Sequence, residues 1–173
     1  LISGSGPIGA LVLLAAKLAG AKSITMTDIR DASLSVVREL GADKTFNVNS
    51  GASALIDEDN PRGSFDVAFD ASGSLQAVLT AINNIRPGGS LIQIGTFAEP
   101  NISIPSDQIM VKEIIMKSSF RFDKEFAWAV DYLAKNKIDV MPLLTHTFPM
   151  EDANKAFRTA SDRENAMKVQ LTF

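Results

Sequence analysis

Leu1-Ile2-Ser3-Gly4-Ser5-Gly6-Pro7-Ile8-Gly9 is the stretch whose reading decides the fold. Two apolar residues end a buried strand, a glycine turn follows, and a helix starts on its far side. Gly4, Gly6 and Gly9 carry the G-x-G-x-x-G spacing of a dinucleotide-binding turn. Gly4 permits the tight turn out of the strand, Gly6 lets the backbone come close to a pyrophosphate, and Gly9 lets the helix pack against the sheet. The helix points its unpaired N–H groups and the positive end of its dipole at the phosphates, which brings Pro7 and Ile8 into the same site. Glycine triplets also arise by chance, so the flanks have to agree.

Downstream, the pattern alternates. Ile8, Leu11, Val12, Ala15 and Ala19 follow helical spacing and Gly20 stops the run. Residues 23–29 read as a strand, 32–40 as a helix closed by Gly41, and 45–48 as a third strand. A short helix is expected around 52–57. Residues 65–71 form a fourth strand, and Leu75, Val78, Leu79, Ile82 and Ile85 give a helical stripe that Pro87-Gly88-Gly89 terminates. Residues 91–95 are the fifth strand, 102–104 a short strand, 106–111 a short helix and 114–120 the sixth long strand. Strands alternating with helices imply right-handed crossovers and a parallel sheet. The expected fold is therefore α/β: a Rossmann-type, doubly wound, six-stranded parallel sheet with helices on both faces over residues 1–122. A small C-terminal α/β segment, residues 123–173, adds helices near 124–136 and 153–160 and strands at 143–148 and 168–173. Two helices and two short strands are too little for a core of their own. The aromatics Phe126, Trp128 and Tyr132 are read as packing residues.

Asp28, at the end of the second strand and downstream of Gly9, is the acid such a site needs. Its carboxylate accepts the adenosine ribose hydroxyls and repels a 2′-phosphate. Replacing it by alanine is expected to relax the choice between NAD and NADP. Arg30, two residues on, can pair with a 2′-phosphate, or is an ordinary exposed arginine; NAD is favoured and NADP stays open. Enzymes using S-adenosylmethionine also place an acid after the second strand. They have no diphosphate to seat, and need no third close helix contact of the kind Gly9 supplies.

Composition narrows the classes. The chain has 173 residues, 46% hydrophobic and 21% charged, ordinary values for a globular protein. A net charge of −3 and a pI near 5.2 argue against nucleic-acid binding. The most apolar stretch, residues 8–18, is broken by Lys17 and is too short for a membrane span. With no cysteine, disulfides and thiolate zinc sites are excluded within the chain, and the single histidine, His146, builds no metal cluster. His146 reads as a packing or surface residue. No signal peptide is visible, which makes the cytoplasm the default location. A strand of two residues before the turn is short, and the expectation is a piece of something longer.

The set Gly4-Ser5-Gly6-Pro7-Ile8-Gly9, Asp28, Leu40-Gly41-Ala42-Asp43, Arg86-Pro87-Gly88-Gly89 and Ser119-Phe120-Arg121-Phe122 occurs in this order in a known group. It resembles the medium-chain, zinc-dependent alcohol dehydrogenases, along its whole length. Leu144-Thr145-His146-Thr147-Phe148-Pro149 and Met167-Lys168-Val169-Gln170-Leu171 resemble the polyol branch. The resemblance implies that Ile94 and Gly95 lie along the nicotinamide ring, that the backbone at Phe120 and Arg121 contacts the carboxamide, and that the Arg121 side chain reaches substrate hydroxyls, or is a strand-end surface arginine. A guanidinium suits a carboxylate or a vicinal diol because its donors are forked. Ser72 and Gly73 match the turn under the nucleotide, or are a helix cap and a turn. Lys168 matches a cation on the pyrophosphate, or is a surface lysine. The resemblance further implies a homo-oligomer through residues 100–120, and a catalytic zinc held by an N-terminal domain outside this chain. The segment 123–173 would pack on that domain. No catalytic or metal-binding residue is assigned here, and the chain alone is expected to bind NAD(H) weakly and to have no activity on a polyol or sugar-acid substrate.

Overall fold

A computed structural model describes residues 1–50, 55 and 59–173. The strands β1 (Ile2–Ser3), β2 (Thr25–Asp28), β3 (Lys44–Asn47), β4 (Phe65–Asp70), β5 (Ile85–Gln93) and β6 (Ile115–Ser118) form one sheet in the order β3-β2-β1-β4-β5-β6. Every neighbouring pair is parallel. The chain runs outward from β1 to β3, then restarts beside β1 and runs outward the other way. A crevice therefore opens between β1 and β4 at the carboxyl ends of the strands, where ligands bind in open α/β sheets.

Helices α1 (Pro7–Leu18) and α2 (Asp31–Glu39) cover one face, and α3 (Leu75–Asn84) and α4 (Ser106–Val111) the other. The cause is strand alternation. Ile2 joins Leu13, Met26, Leu34 and Val37 in the first core, while Leu1 joins Ala68, Val78, Ile82 and Leu91 in the second. Pro7 opens α1, where its missing N–H costs nothing and its φ is already helical. Two lysines from elsewhere finish helix ends. Lys17 Nζ donates to the Leu40 carbonyl at the end of α2. Lys112 Nζ donates to the carbonyls of Ile82, Asn83 and Ile85 at the end of α3, at 2.7–2.9 Å. A cation at a helix C-terminus also meets the negative end of the dipole. Burial, reinforced by Arg62, holds the Lys112 ammonium below its ordinary pKa.

Two expectations are corrected. The helix before Pro87 stops at Asn84, and β5 begins at Ile85 rather than at residue 91. Phe65 pairs with Ile85 and Val67 with Ser90, so Arg86-Pro87-Gly88-Gly89 bulges out of an ongoing strand. Proline and glycine, read as a helix stop, are residues a bulge accepts as readily. Arg86 Nε reaches Asp66 Oδ1 across the bulge at 2.8 Å and holds that exposed carboxyl below the usual range. Residues 102–104 form no strand; they run irregularly into α4. The short helix expected at 52–57 lies outside the described residues, save for Leu55, which is buried in the second core.

The tail carries α5 (Glu125–Ala134), β7 (Leu144–Pro149), α6 (Ala153–Ser161) and β8 (Lys168–Thr172), with β7 and β8 paired as a separate parallel two-stranded sheet. Leu143, Ile138, Val140 and Met167 tie it to the first core. The α5 aromatics are a further correction: Phe126 and Trp128 are more than half exposed and pack into neither core. His146 is half-buried, with its ring stacked on Phe148 and Nδ1 3.1 Å from Thr145 Oγ1.

Candidate functional site

The glycine turn sits at the carboxyl end of β1. Gly4 has φ +94°, a left-handed value that glycine adopts without penalty, and its amide donates to the Thr27 carbonyl on β2. Gly6 is the residue before α1, in ordinary extended conformation. A Cβ built on Gly6 meets nothing within 4 Å, so among the described residues the space beside it is open. A Cβ on Gly9 would overlap the Gly4 carbonyl oxygen, with Met26 Cε 3.6 Å away. Its close approach is thus mainly to the turn itself, and secondarily to the sheet. The first helical bond of α1 runs from the Ala10 amide to the Gly6 carbonyl. The Ile8 and Gly9 amides precede it and face outward with the dipole behind them.

Asp28 ends β2, only 8% exposed. Its Oδ2 accepts the Ser5 amide at 2.7 Å, and its Oδ1 accepts the amides of Ile29 at 2.7 Å and Arg30 at 3.0 Å. The acid therefore ties the glycine turn to the end of β2. Among the described residues Oδ2 accepts one hydrogen bond, which leaves it acceptor capacity for a further donor. The Arg30 guanidinium lies 3.7 Å from Oδ1, and its buried Nε has no hydrogen-bond partner among the described residues. Acid and cation thus stand side by side at the end of β2.

On the other side of the crevice, β4 ends in Asp70-Ala71-Ser72-Gly73. Ser72 does not cap a helix: its hydroxyl donates to Asp70 Oδ1 at 2.6 Å, and Ser74 is the residue before α3. Ile94 and Gly95, just past β5, donate their amides to the Asp70 carbonyl at 2.8 Å each. A cavity of about 370 Å³ opens beside them, lined among others by Ile94, Gly95, Thr96, Glu99, Ser119 and Phe120. Phe120 is 79% exposed and the Arg121 guanidinium lies over its ring, 4.5 Å from the centroid. Lys168 opens β8, paired opposite Leu144 in the small sheet. A larger cavity, about 870 Å³, lies at the opposite end of the strands between Ile24, Phe65 and Val67, far from all of these groups.

The fold therefore brings Gly4, Gly6, Pro7, Ile8, Gly9, Asp28, Arg30, Ser72, Gly73, Ile94, Gly95, Phe120 and Arg121 to one edge, the carboxyl edge of the parallel sheet. Sequence reasoning missed Asp70. The signal was present: Asp-Ala-Ser-Gly is an Asx-turn sequence, in which the carboxylate takes backbone amides two or three residues on. Ser5 was also missed, its hydroxyl fully buried and unpartnered among the described residues.

Known proteins are similar in sequence and fold. The family model described as zinc-binding dehydrogenase matches residues 7–135. L-idonate 5-dehydrogenase (NAD(P)(+)) of Escherichia coli K12 is 38% identical over 99% of this chain and 49% of its own length. A crystal structure of that protein superposes with a TM-score of 0.90, again over 99% of this chain and 49% of that one. Mouse sorbitol dehydrogenase is 34% identical, over 92% of this chain and 45% of its own. An Escherichia coli alcohol dehydrogenase solved with NADH is 26% identical, with a TM-score of 0.87 over 99% of this chain and 51% of that one. The chain spans about half the length of the relatives it matches. A match to the family model over most of its residues shows that this chain belongs to the zinc-binding dehydrogenase family.

Proposed function

We propose that the chain is the coenzyme-binding half of an oxidoreductase that moves hydride from a secondary alcohol of a polyol or sugar acid to NAD(P)+. L-idonate, oxidised to 5-dehydrogluconate, is the first candidate substrate, and sorbitol the next, following the relatives' names. A threonine dehydrogenase-type substrate and a non-catalytic dinucleotide-binding module are the remaining alternatives. The observation that carries the reading is the empty approach at Gly6, flanked by the outward amides of α1 and by Asp28. Bound NAD(P)+ supplies the hydride acceptor. The chain's own groups do the rest: the α1 amides take the diphosphate, Asp28 Oδ2 takes a ribose hydroxyl, and the wall Ile94-Gly95-Thr96 bounds the second half of the dinucleotide. Lys168 is proposed as a diphosphate contact and Arg121 as a substrate contact once the other half of the enzyme is in place. Among the described residues no three His, Cys, Asp or Glu groups converge to hold a metal.

The exposed aromatics of α5, together with Phe122 and Phe157, are proposed to pack on that other half, with residues 1–122 and 123–173 as the two parts. In a titration of the 173-residue chain, nicotinamide fluorescence is expected to saturate with NADH, while L-idonate and sorbitol give no turnover. Absence of saturable binding would reject the coenzyme reading; turnover by this chain alone would reject the half-enzyme reading.

We also propose a homo-oligomer through residues 100–120. β6 is the edge of the six-stranded sheet, all four of its residues are exposed, and Ile115 and Met116 leave the edge apolar. Such an edge invites pairing with a second copy. Sedimentation at rising concentration is expected to show a dimer that Ile115→Pro converts to monomer; a monomer at all concentrations would exclude the interface. Among the described residues no helix is long and apolar enough to cross a membrane.

A further inference from the structure

Asp70 is fully buried, carries an ionisable group, and takes no part in the coenzyme contacts proposed above. It lies at the centre of the sheet, at the end of β4, directly beside Ser3 of β1. Its Oδ1 accepts three donors: the Ser72 amide at 2.9 Å, the Ser72 hydroxyl at 2.6 Å and the Gly73 amide at 3.2 Å. Its main-chain carbonyl accepts the amides of Ile94 and Gly95. One residue thus holds both the β4–α3 turn and the end of β5.

Those two segments touch through bare backbone. A Cβ on Gly95 would overlap the Gly73 amide nitrogen and lie 3.0 Å from Asp70 Oδ2. A Cβ on Gly73 would overlap the Thr96 carbonyl oxygen. With no side chain between them, any movement of the Ser72-Gly73 turn is passed directly to Gly95 and Thr96. Those residues wall the cavity of about 370 Å³. A dinucleotide that places its diphosphate at the glycine turn and its adenosine ribose at Asp28 must lay its other nucleoside across β4 toward β5 and β6, where this cavity opens.

We propose that Asp70 is a positioning residue for the nicotinamide half of the dinucleotide: from beneath the crevice its carboxylate sets the height of the Gly73–Gly95 contact and so of the Ile94-Gly95-Thr96 wall. This rests on the coenzyme reading. Gly4 also packs on the Ser72-Gly73 turn, its Cβ position 2.9 Å from Ala71 C and Ser72 N. The glycine turn and Asp28, however, are tied together by hydrogen bonds on the β2 side, from the Ser5 amide to Asp28 and from the Gly4 amide to the Thr27 carbonyl. The adenosine half therefore keeps those anchors when Asp70 is changed. The role is one of acceptor geometry: Oδ1 carries all three side-chain hydrogen bonds, while Oδ2 has no partner among the described residues. Asparagine can keep the Oδ1 acceptor; alanine cannot.

The test compares NADH with ADP-ribose, which is the same ligand without nicotinamide, by calorimetry on the 173-residue chain. Asp70→Ala is expected to weaken NADH by about tenfold and ADP-ribose by less than about twofold. Asp70→Asn is expected to restore NADH to within about threefold of the unmodified chain. Should Asp70→Ala fail to fold, Ser72→Ala removes one of the three donors and is expected to weaken NADH by about threefold and ADP-ribose by less than NADH. Equal losses for both ligands, or no loss for NADH, overturn the positioning role while leaving the coenzyme site in place. Failure of the unmodified chain to bind either ligand overturns the coenzyme reading and this role with it.

Discussion

Gly6→Val is expected to reduce affinity for NADH by more than about a hundredfold, which is about 3 kcal/mol of binding free energy. The protein itself has no objection to the side chain. Gly6 has φ −67° and ψ −174°, an extended geometry that valine adopts freely, and its Cβ position meets no atom within 4 Å. Valine is a poorer residue than glycine before a helix, which costs about 1 kcal/mol at most. In a chain of this length that lowers the melting temperature by about 2–4 °C. What valine does fill is the approach to the Ile8 and Gly9 amides. Unchanged NADH affinity in Gly6→Val would mean that the space beside Gly6 is not the diphosphate's, and the site would have to be sought elsewhere. Gly9 offers no such clean test, because any side chain there collides with the Gly4 carbonyl and damages the turn before a ligand is involved.

The difference between these two glycines shows what could be read without coordinates. Spacing alone places three glycines at a strand–helix junction, because tight turns and close backbone approaches exclude other residues. The alternation of apolar runs similarly yields the parallel sheet, since each strand's two faces must be covered by helices. The bulge in β5 was not legible in the same way. Pro87 and Gly88 break a helix and tolerate a bulge equally well, and only the pairing of Phe65 with Ile85 tells the two apart. Asp70 was hidden for a different reason. Its partners are backbone amides of Ser72 and Gly73 and, through its carbonyl, of Ile94 and Gly95. Backbone groups carry no sequence signature across a gap of more than 20 residues, so the long-range half of its role appears only once β4 and β5 are seen side by side.

Asp28→Ala is expected to do more than alter the choice between NAD and NADP. As a strand-end acid, Asp28 was a specificity residue whose removal would simply admit a 2′-phosphate. In the fold it also takes the Ser5, Ile29 and Arg30 amides and faces the Arg30 guanidinium, while almost completely buried. Alanine leaves those donors without an acceptor and the arginine without its counter-charge. The cost to stability is about 2–4 kcal/mol, the range for breaking a buried charged network on one side. Because the Ser5 amide is one of two tethers between the glycine turn and β2, beside the Gly4 amide on the Thr27 carbonyl, the turn loosens as well. NADH affinity is then expected to fall by more than about tenfold, with NADPH gaining little in absolute terms. Asp28→Asn separates the two roles. Its amide oxygen can still hold one side of the network, while loss of the negative charge removes repulsion of a 2′-phosphate and frees Arg30 to pair with it. In that variant the ratio of NADPH to NADH affinity is expected to rise by about tenfold, with stability falling less than in alanine. Urea melts and parallel titrations with both coenzymes measure all of these quantities. Wild-type stability and wild-type NADH affinity in Asp28→Ala would show that the carboxylate neither anchors the turn nor meets the ribose. A loss of stability with no change in coenzyme preference in either variant would leave Asp28 as a structural acid alone.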